Sequence, residues 1–520
     1  MGPPPGPRYS PSVVDPWGRN GGSGVREERA WCDQARWPEV IAPEPETIVN
    51  DIHSQLNQTR VTGVRRPRSF EDVQRIVREA REAALPIAVC GGRHAMGGQQ
   101  FAEGGILVDM RELNLIGPFD LRRGLLEVGA GIQWPALLDA LDGMQAGRDD
   151  AWTIAQKQTG ADRLTIGGAL AANIHGRGLR MRPFIQDVES FLLVDADGEL
   201  HRCSRTENPR LFALAIGGYG LFGIVVSVTL RLVRRQKLER TVEVLDMPDM
   251  VRAFDSRIAE GYLYGDFQFA IDNSSPEFLH RGIFSCYKPA DPARDIPQGQ
   301  RSLSEESWRD LLTLAHVDKA ECWERYSRHY LATDGQLYWS DKHQLSTYMD
   351  DYHRELDQRL DACRGSEMIT ELYVPRERLS DFMGAAADLL RAKDGNCVYG
   401  TIRLIERDDE SFLAWATGDW ACIIFNVHAD HDEESLARSA DLFRALIDLA
   451  LAGGGSYYLT YHRHATREQV LAAYPQLPEF LRRKLEYDPE ERFQSEWYRH
   501  YRAWFGEDAL APSEMTEDPR

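Results

Sequence analysis

A histidine inside a glycine-rich turn is the first feature of this chain that could do chemistry. It stands in Cys90-Gly91-Gly92-Arg93-His94-Ala95-Met96-Gly97-Gly98-Gln99, directly after the apolar run Pro86-Ile87-Ala88-Val89, which reads as a strand. Four glycines within eight residues let the backbone turn where a side chain would clash, and let its N–H groups approach an anion closely. Taken alone, the stretch reads equally as a surface turn with an incidental histidine. A second block, Thr165-Ile166-Gly167-Gly168-Ala169-Leu170-Ala171-Ala172-Asn173-Ile174-His175-Gly176, is dominated by small residues that admit a flat or phosphorylated ligand close to the backbone. Asn173 and His175 add polar groups there, so a ligand wall is expected rather than a tightly packed helix start. A third block follows Gly453-Gly454-Gly455: Ser456-Tyr457-Tyr458-Leu459-Thr460-Tyr461-His462-Arg463-His464 reads as a strand ending in titratable groups. Its histidine pair has no carboxylate or cysteine at ligand spacing, so no metal is expected.

These blocks need elements to hold them. Ser69 is a good N-cap with Asp72 three residues on, and Phe70, Val73, Ile76, Val77 and Ala80 fall at helical spacing. That helix leads into the strand before the glycine loop. Further strands are read at Ile106-Leu107-Val108 and at 125–128, with a helix over 134–141. Asp197-Gly198 joins two strands as a hairpin. Gly218-x-Gly220-x-x-Gly223 matches the dinucleotide fingerprint in letters, but a helix precedes it and the β-branched run from Ile224 follows it. The fingerprint needs the reverse order, so a Rossmann fold is not expected.

The chain has 520 residues, 42% hydrophobic and 27% charged, enough for two or three domains with full cores. A net charge of −20 argues against nucleic acid or an anionic membrane as the main partner. There is no run of 18 apolar residues, and the N-terminus lacks the basic and apolar regions of a signal peptide, so a cytoplasmic chain is expected. The eight cysteines are scattered without a CxxC pair, which favours reduced, buried thiols. Residues 1–45 read as a largely disordered tail rich in Pro, Gly, Ser and Arg.

The order of these motifs resembles the flavin-binding domain of the vanillyl-alcohol oxidase superfamily, also called the p-cresol methylhydroxylase (PCMH) type. The residues that carry the resemblance are the Arg65-Arg66-Pro67 helix signature, the 90–99 loop, Thr165-Ile166-Gly167-Gly168 with Ile174-His175-Gly176, and Gly220-Leu221-Phe222-Gly223-Ile224. Within the superfamily the chain is most similar to alditol and aldonolactone oxidases and to decaprenylphosphoryl-β-D-ribose oxidase. The resemblance implies an α+β fold: a two-subdomain FAD-binding domain over 46–235 and a substrate cap over 236–455, with an antiparallel sheet and helices on one face. Residues 456–520 would then return to the FAD domain.

The resemblance also implies FAD as cofactor, its pyrophosphate on Gly91, Gly92, Arg93, His94 and Ala95. Gln99, Thr165, Gly167, Gly168, Asn173, His175, Gly176, Gly223 and Ile224 would line the rest. His94 stands where many members link the flavin 8α-methyl group to an imidazole; decaprenylphosphoryl-ribose oxidases lack a histidine there. No cysteine lies between Ala151 and Gly178, so a second, cysteinyl link is not expected. By the same resemblance Arg403 reaches flavin and substrate. The glutamate near it in alditol oxidases is Thr401 here, and the lysine of decaprenylphosphoryl-ribose oxidases falls on Tyr461. The expected reaction is oxidation of an alcohol by hydride transfer to flavin N5, with oxygen or another electron acceptor. Tyr461 or His462 would be the base and Arg403 would stabilise the developing alkoxide. Two alternatives stand beside it. One is an NADPH-dependent reductase of the UDP-N-acetylmuramate dehydrogenase kind, which His94 argues against. The other is a non-catalytic flavin-binding protein.

Overall fold

The computed structural model describes residues 47–346 and 352–506; the tail expected over 1–45 lies outside the described residues. The glycine loop is launched from a small parallel sheet in the order Gly63–Arg65, Ile106–Asp109, Ile87–Cys90. Parallel neighbours need a crossover. The helix Phe70–Glu82 carries the chain from Gly63–Arg65 over to Ile87–Cys90, on the far side of the central strand; it is capped by Ser69 Oγ accepting from the Asp72 N–H and buries Val73, Ile76, Val77 and Ala80. A five-stranded antiparallel sheet follows, in the order Leu200–Ser204, Val188–Val194, Ile224–Arg231, Leu125–Gly129, Ile116–Asp120. The glycines at 217–223 lie between the helix Pro209–Ala215 and the strand Ile224–Arg231, the order that excludes a dinucleotide fingerprint.

The largest layer is an eight-stranded antiparallel sheet. Its order is Leu337–Trp339, Lys237–Asp246, Arg281–Pro289, Tyr264–Phe269, Cys397–Ile405, Trp420–Asp430, Gly365–Pro375, Ser456–Tyr457. Successive side chains on a strand point to opposite faces, so the pairing register decides which residues share a face. Glu371 and Thr401 both pair with Ile424, and Tyr373 and Arg403 both pair with Cys422, so these six lie on one face in two adjacent rows. The other face buries Leu372, Val374, Ile402, Ile423 and Phe425 under the helices Leu379–Ala392 and Glu433–Ala452. The helices Glu305–Val317 and Lys319–Leu331 flank the first face, so helices cover both sides rather than one.

Only Ser456–Tyr457 of the expected 456–464 strand is a strand, paired with Tyr373 and Leu372. Beyond it Leu459 leaves the sheet: its carbonyl accepts from Gln99 Nε2 and from Trp497 Nε1, each at 3.1 Å. The end of the chain packs back on the first sheet, where the Ile87 N–H donates to the Arg492 carbonyl at 2.7 Å and Gln494 donates to the Ile87 carbonyl at 2.9 Å. Among the described residues Cys90, Cys203, Cys286, Cys322, Cys397 and Cys422 are free and buried, as expected of reduced thiols. Cys363 departs from that expectation: it is disulfide-bonded. No helix among the described residues is long and apolar enough to cross a membrane.

Candidate functional site

The loop after Ile87–Cys90 is closed down on by two other segments. A Cβ on Gly91 would stand 2.0 Å from Thr165 Oγ1, and one on Gly92 would stand 2.2 Å from the Arg163 carbonyl oxygen. Thr165 is itself committed, capping the helix Ile166–Ala172 by accepting from the Gly168 N–H at 3.1 Å. A Cβ on Gly97 would lie 2.4 Å from the backbone oxygen of Tyr461, so the loop also touches the C-terminal segment. The glycines are thus required by contact. Gly92→Ala is expected to lower stability by about 1–3 kcal/mol, because the obstacle is backbone that cannot rotate away; urea titration measures it.

These segments border one cavity of about 730 Å³. Of the residues singled out in the sequence, Gly91, Gly92, Arg93, His94, Ala95, Gln99, Thr165, Gly167, Gly168, Gly223, Arg403 and Tyr461 line it. Five do not. Asn173 adopts a left-handed φ of 49° at the helix end and turns its side chain away, donating to Asp408 Oδ2 at 2.9 Å and accepting from the Ile185 N–H at 2.9 Å. Gly176 donates to Gln156 Oε1 at 3.0 Å. Ile224 packs in the core with Val226 and Val194. His462 is stacked on His464 with ring centres 5.4 Å apart, and burial lowers its pKa to about 4. His175 is fully buried one layer behind the cavity.

His175 leads to the group that the sequence does not announce. Its Nε2 lies 2.8 Å from Glu371 Oε1, and its Nδ1 lies 3.0 Å from the Gly176 carbonyl oxygen. With the Nδ1–H donating to that carbonyl, Nε2 is the nitrogen that faces the Glu371 carboxylate. Glu371 also accepts from the Tyr373 hydroxyl at 2.5 Å and, on its other oxygen, from the Tyr461 hydroxyl at 3.2 Å. Burial pushes the Glu371 carboxyl up, but His175 beside it and the hydrogen bonds from His175 and Tyr373 outweigh this and hold it below the usual glutamate value. Burial and the same carboxylate hold the Tyr461 phenol well above the usual tyrosine value. Tyr461 is therefore a proton donor to Glu371 at rest. Arg403, from the neighbouring row, is 3% exposed, and its Nε and Nη1 have no hydrogen-bond partner among the described residues. Thr401 Oγ1 is likewise buried without one.

At the glycine end, His94 Nδ1 stands 2.8 Å from His53 Nε2. Burial, reinforced by the neighbouring His53 and opposed by a hydrogen bond with the Arg163 backbone, keeps the His94 pKa well below the ordinary histidine value, so the ring is neutral at neutral pH. The cavity also has an apolar lobe beside the helix Glu305–Val317, lined by Trp308, Leu311, Leu312 and Ala315.

Residues 61–204 match the family model described as an FAD binding domain. An oxidoreductase of Rhodococcoides fascians, ORF5 of the fasciation locus, is 31% identical over 208 residues, covering 37% of this chain and 43% of that protein. Mitochondrial L-galactono-1,4-lactone dehydrogenase of Arabidopsis thaliana is 27% identical over 214 residues, covering 40% of this chain and 33% of that protein. Decaprenylphosphoryl-beta-D-ribose oxidase of Mycolicibacterium smegmatis is 23% identical over 447 residues, covering 82% of this chain and 91% of that protein. The chain spans less than half the length of the first two relatives and nearly all of the third.

Proposed function

We propose, for a chain whose residues 61–204 form an FAD-binding domain, that it is a flavin-dependent oxidoreductase acting on the CH–OH group of a hydroxylated substrate. The three-stranded parallel and five-stranded antiparallel sheets are read as the two halves of that domain, and the eight-stranded sheet as the substrate cap. The observation that carries the reading is Arg403, whose Nε and Nη1 are buried without a partner among the described residues, in the wall of the cavity that holds the glycine cradle. Bare backbone at Gly91, Gly92 and Gly167 fits a pyrophosphate, and the cavity continues from there to Arg403 and Tyr461. Bound FAD supplies the hydride acceptor.

The protein's own groups handle the oxygen and its proton. Arg403 donates to the substrate oxygen and stabilises the charge that grows there. Tyr461 accepts the hydroxyl proton as it passes its own to Glu371, so neither a free phenolate nor a protonated carboxyl has to be present beforehand. His175 and Tyr373 position Glu371 for this step. His462, which faces away from the cavity, has no part in it. The substrate is read as a sugar-like or lactone head with an apolar extension. The polar groups of Arg403, Thr401 and Asn426 would take the head, and Trp308, Leu311 and Leu312 the extension.

A panel of sugars, lactones and amphiphilic alcohols, mixed anaerobically with the yellow protein, tests this. At least one is expected to bleach the flavin, with peroxide or dye reduction on reoxidation. Arg403→Met is expected to slow bleaching by about 10²–10³-fold with FAD content unchanged. Bleaching at the parental rate in Arg403→Met removes the oxygen-binding role. Bleaching by NADPH and by no alcohol overturns the reading in favour of a reductase.

A further inference from the structure

A second cluster of titratable groups lies in the cap, at the edge of the apolar lobe and apart from Glu371. Glu367 and His428 are direct cross-strand partners on Gly365–Pro375 and Trp420–Asp430. His316 comes from the last turn of the helix Glu305–Val317, and His353 from the first turn of Tyr352–Leu360. His353 Nε2 is 2.7 Å from Glu367 Oε2, and His316 Nε2 is 3.5 Å from Glu367 Oε1. The His316 and His428 rings meet at 89° with centres 4.8 Å apart. One ligand atom from each of His316, Glu367 and His428 lies within 4.8 Å of the other two.

Four buried atoms in this cluster, His316 Nε2, His353 Nδ1, His428 Nδ1 and Glu367 Oε1, have no hydrogen-bond partner among the described residues. The four side chains are at most 14% exposed. Among the described residues the ion-pair partners of Glu367 are the imidazoles of His316 and His353, so its carboxyl group has no permanent cation beside it. We propose that His316, His353, His428 and Glu367 bind one divalent transition-metal ion of the zinc class. Three imidazoles and one carboxylate are a borderline-soft donor set that suits zinc far better than calcium or magnesium. Bonds of about 2.0–2.1 Å put tetrahedral ligands roughly 3.3–3.5 Å apart, so small side-chain rotations close the present spacing of His316, Glu367 and His428 on an ion, and His353, whose Nε2 already lies beside Glu367 Oε2, has to swing further in as the fourth ligand. The His428 Nε2 leans toward Asp430 Oδ1 at 3.6 Å, the kind of outer carboxylate that commonly orients a metal-bound imidazole. Such an ion ties two helices to two strands and fixes the wall of the apolar lobe, where Glu367 is one of the lining residues.

The full-length flavoprotein, equilibrated with Zn²⁺ and freed of excess by gel filtration, is expected to hold about one zinc per chain by elemental analysis. X-ray absorption at the zinc edge is expected to show three imidazoles at about 2.0–2.1 Å. Glu367→Gln and His316→Gln are each expected to weaken zinc binding by at least about 10–100-fold, with the flavin absorbance reporting an intact fold. Zinc-free wild-type protein after loading overturns the proposal. So does a bound zinc with fewer than three imidazoles, or one retained undiminished in both variants. The absorption measurement needs only wild-type protein and decides the matter even if neither variant folds.

Discussion

Replacing Glu371 with glutamine is expected to slow substrate reduction of the flavin by about 10²–10⁴-fold while the flavin stays bound. Glutamine keeps the size of the side chain: its one oxygen can still accept from Tyr373, and its NH2 group can donate to the Tyr461 hydroxyl oxygen, so the packing around it survives. What it removes is the carboxylate hydrogen-bonded to the Tyr461 hydroxyl, and with it the destination of the substrate proton. Tyr461→Phe breaks the same relay one atom earlier and should give a loss of similar size. The double variant should be little worse than either single one, because the two groups act as a unit. Anaerobic stopped-flow mixing measures all three, and a parental rate in Glu371→Gln would sink the relay.

The pH dependence has a definite sign. The folded Glu371 carboxyl is held below its unfolded value, so its ionised form and the stability it contributes are present above the ordinary glutamate pKa and are lost only as pH falls through the lower folded one. The Tyr461 phenol is held above its ordinary value and stays protonated through the alkaline range. Neither group therefore puts a limb on the rate between about pH 4.3 and about pH 10, the ordinary values of the two side chains. A limb near neutrality would assign the base to some other group.

How much of this is legible in the sequence depends on whether the residues concerned are neighbours in the chain. The glycine loop is legible because close backbone approach has a local signature, glycine at several positions after a strand. The helix from Phe70 and the Asp197-Gly198 hairpin are legible for the same reason, since caps and tight turns are fixed by residues a few positions apart. Glu371 is not legible. It stands in the apolar run Leu372-Tyr373-Val374, and nothing near it in the chain marks it as more than a strand residue. Its partners His175, Arg403 and Tyr461 reach it only through the register of three strands and the turn at Leu459. A charged residue in a stretch otherwise bound for the core was the one available signal. The Asn173 and His175 pair misleads for a related reason: polar side chains beside exposed backbone look like ligand donors, yet both are spent on bonds behind the cavity. The cluster at His316, His353, Glu367 and His428 is dispersed over four elements, so no ligand-spacing motif exists for it.

Acid precipitation of the wild-type protein is expected to carry the yellow flavin into the pellet, and His94→Ala is expected to release it entirely into the supernatant. The argument rests on the state of the imidazole. Attachment needs a neutral ring, and burial holds His94 neutral in the cavity wall. It also needs a partner for the ring proton, and His53 Nε2 stands 2.8 Å from His94 Nδ1 for that purpose. His53→Ala should consequently lower the covalently held fraction without abolishing binding, whereas His94→Ala leaves only the non-covalent grip of the glycine cradle. The loss should also appear in the chemistry: a flavin freed of its imidazole substituent is a weaker hydride acceptor, so the reduction potential of His94→Ala should fall below that of the parent. Flavin in the wild-type supernatant would sink the covalent link and leave the relay through Tyr461 and Glu371 untouched. Flavin still pelleting with His94→Ala would move the attachment to another residue.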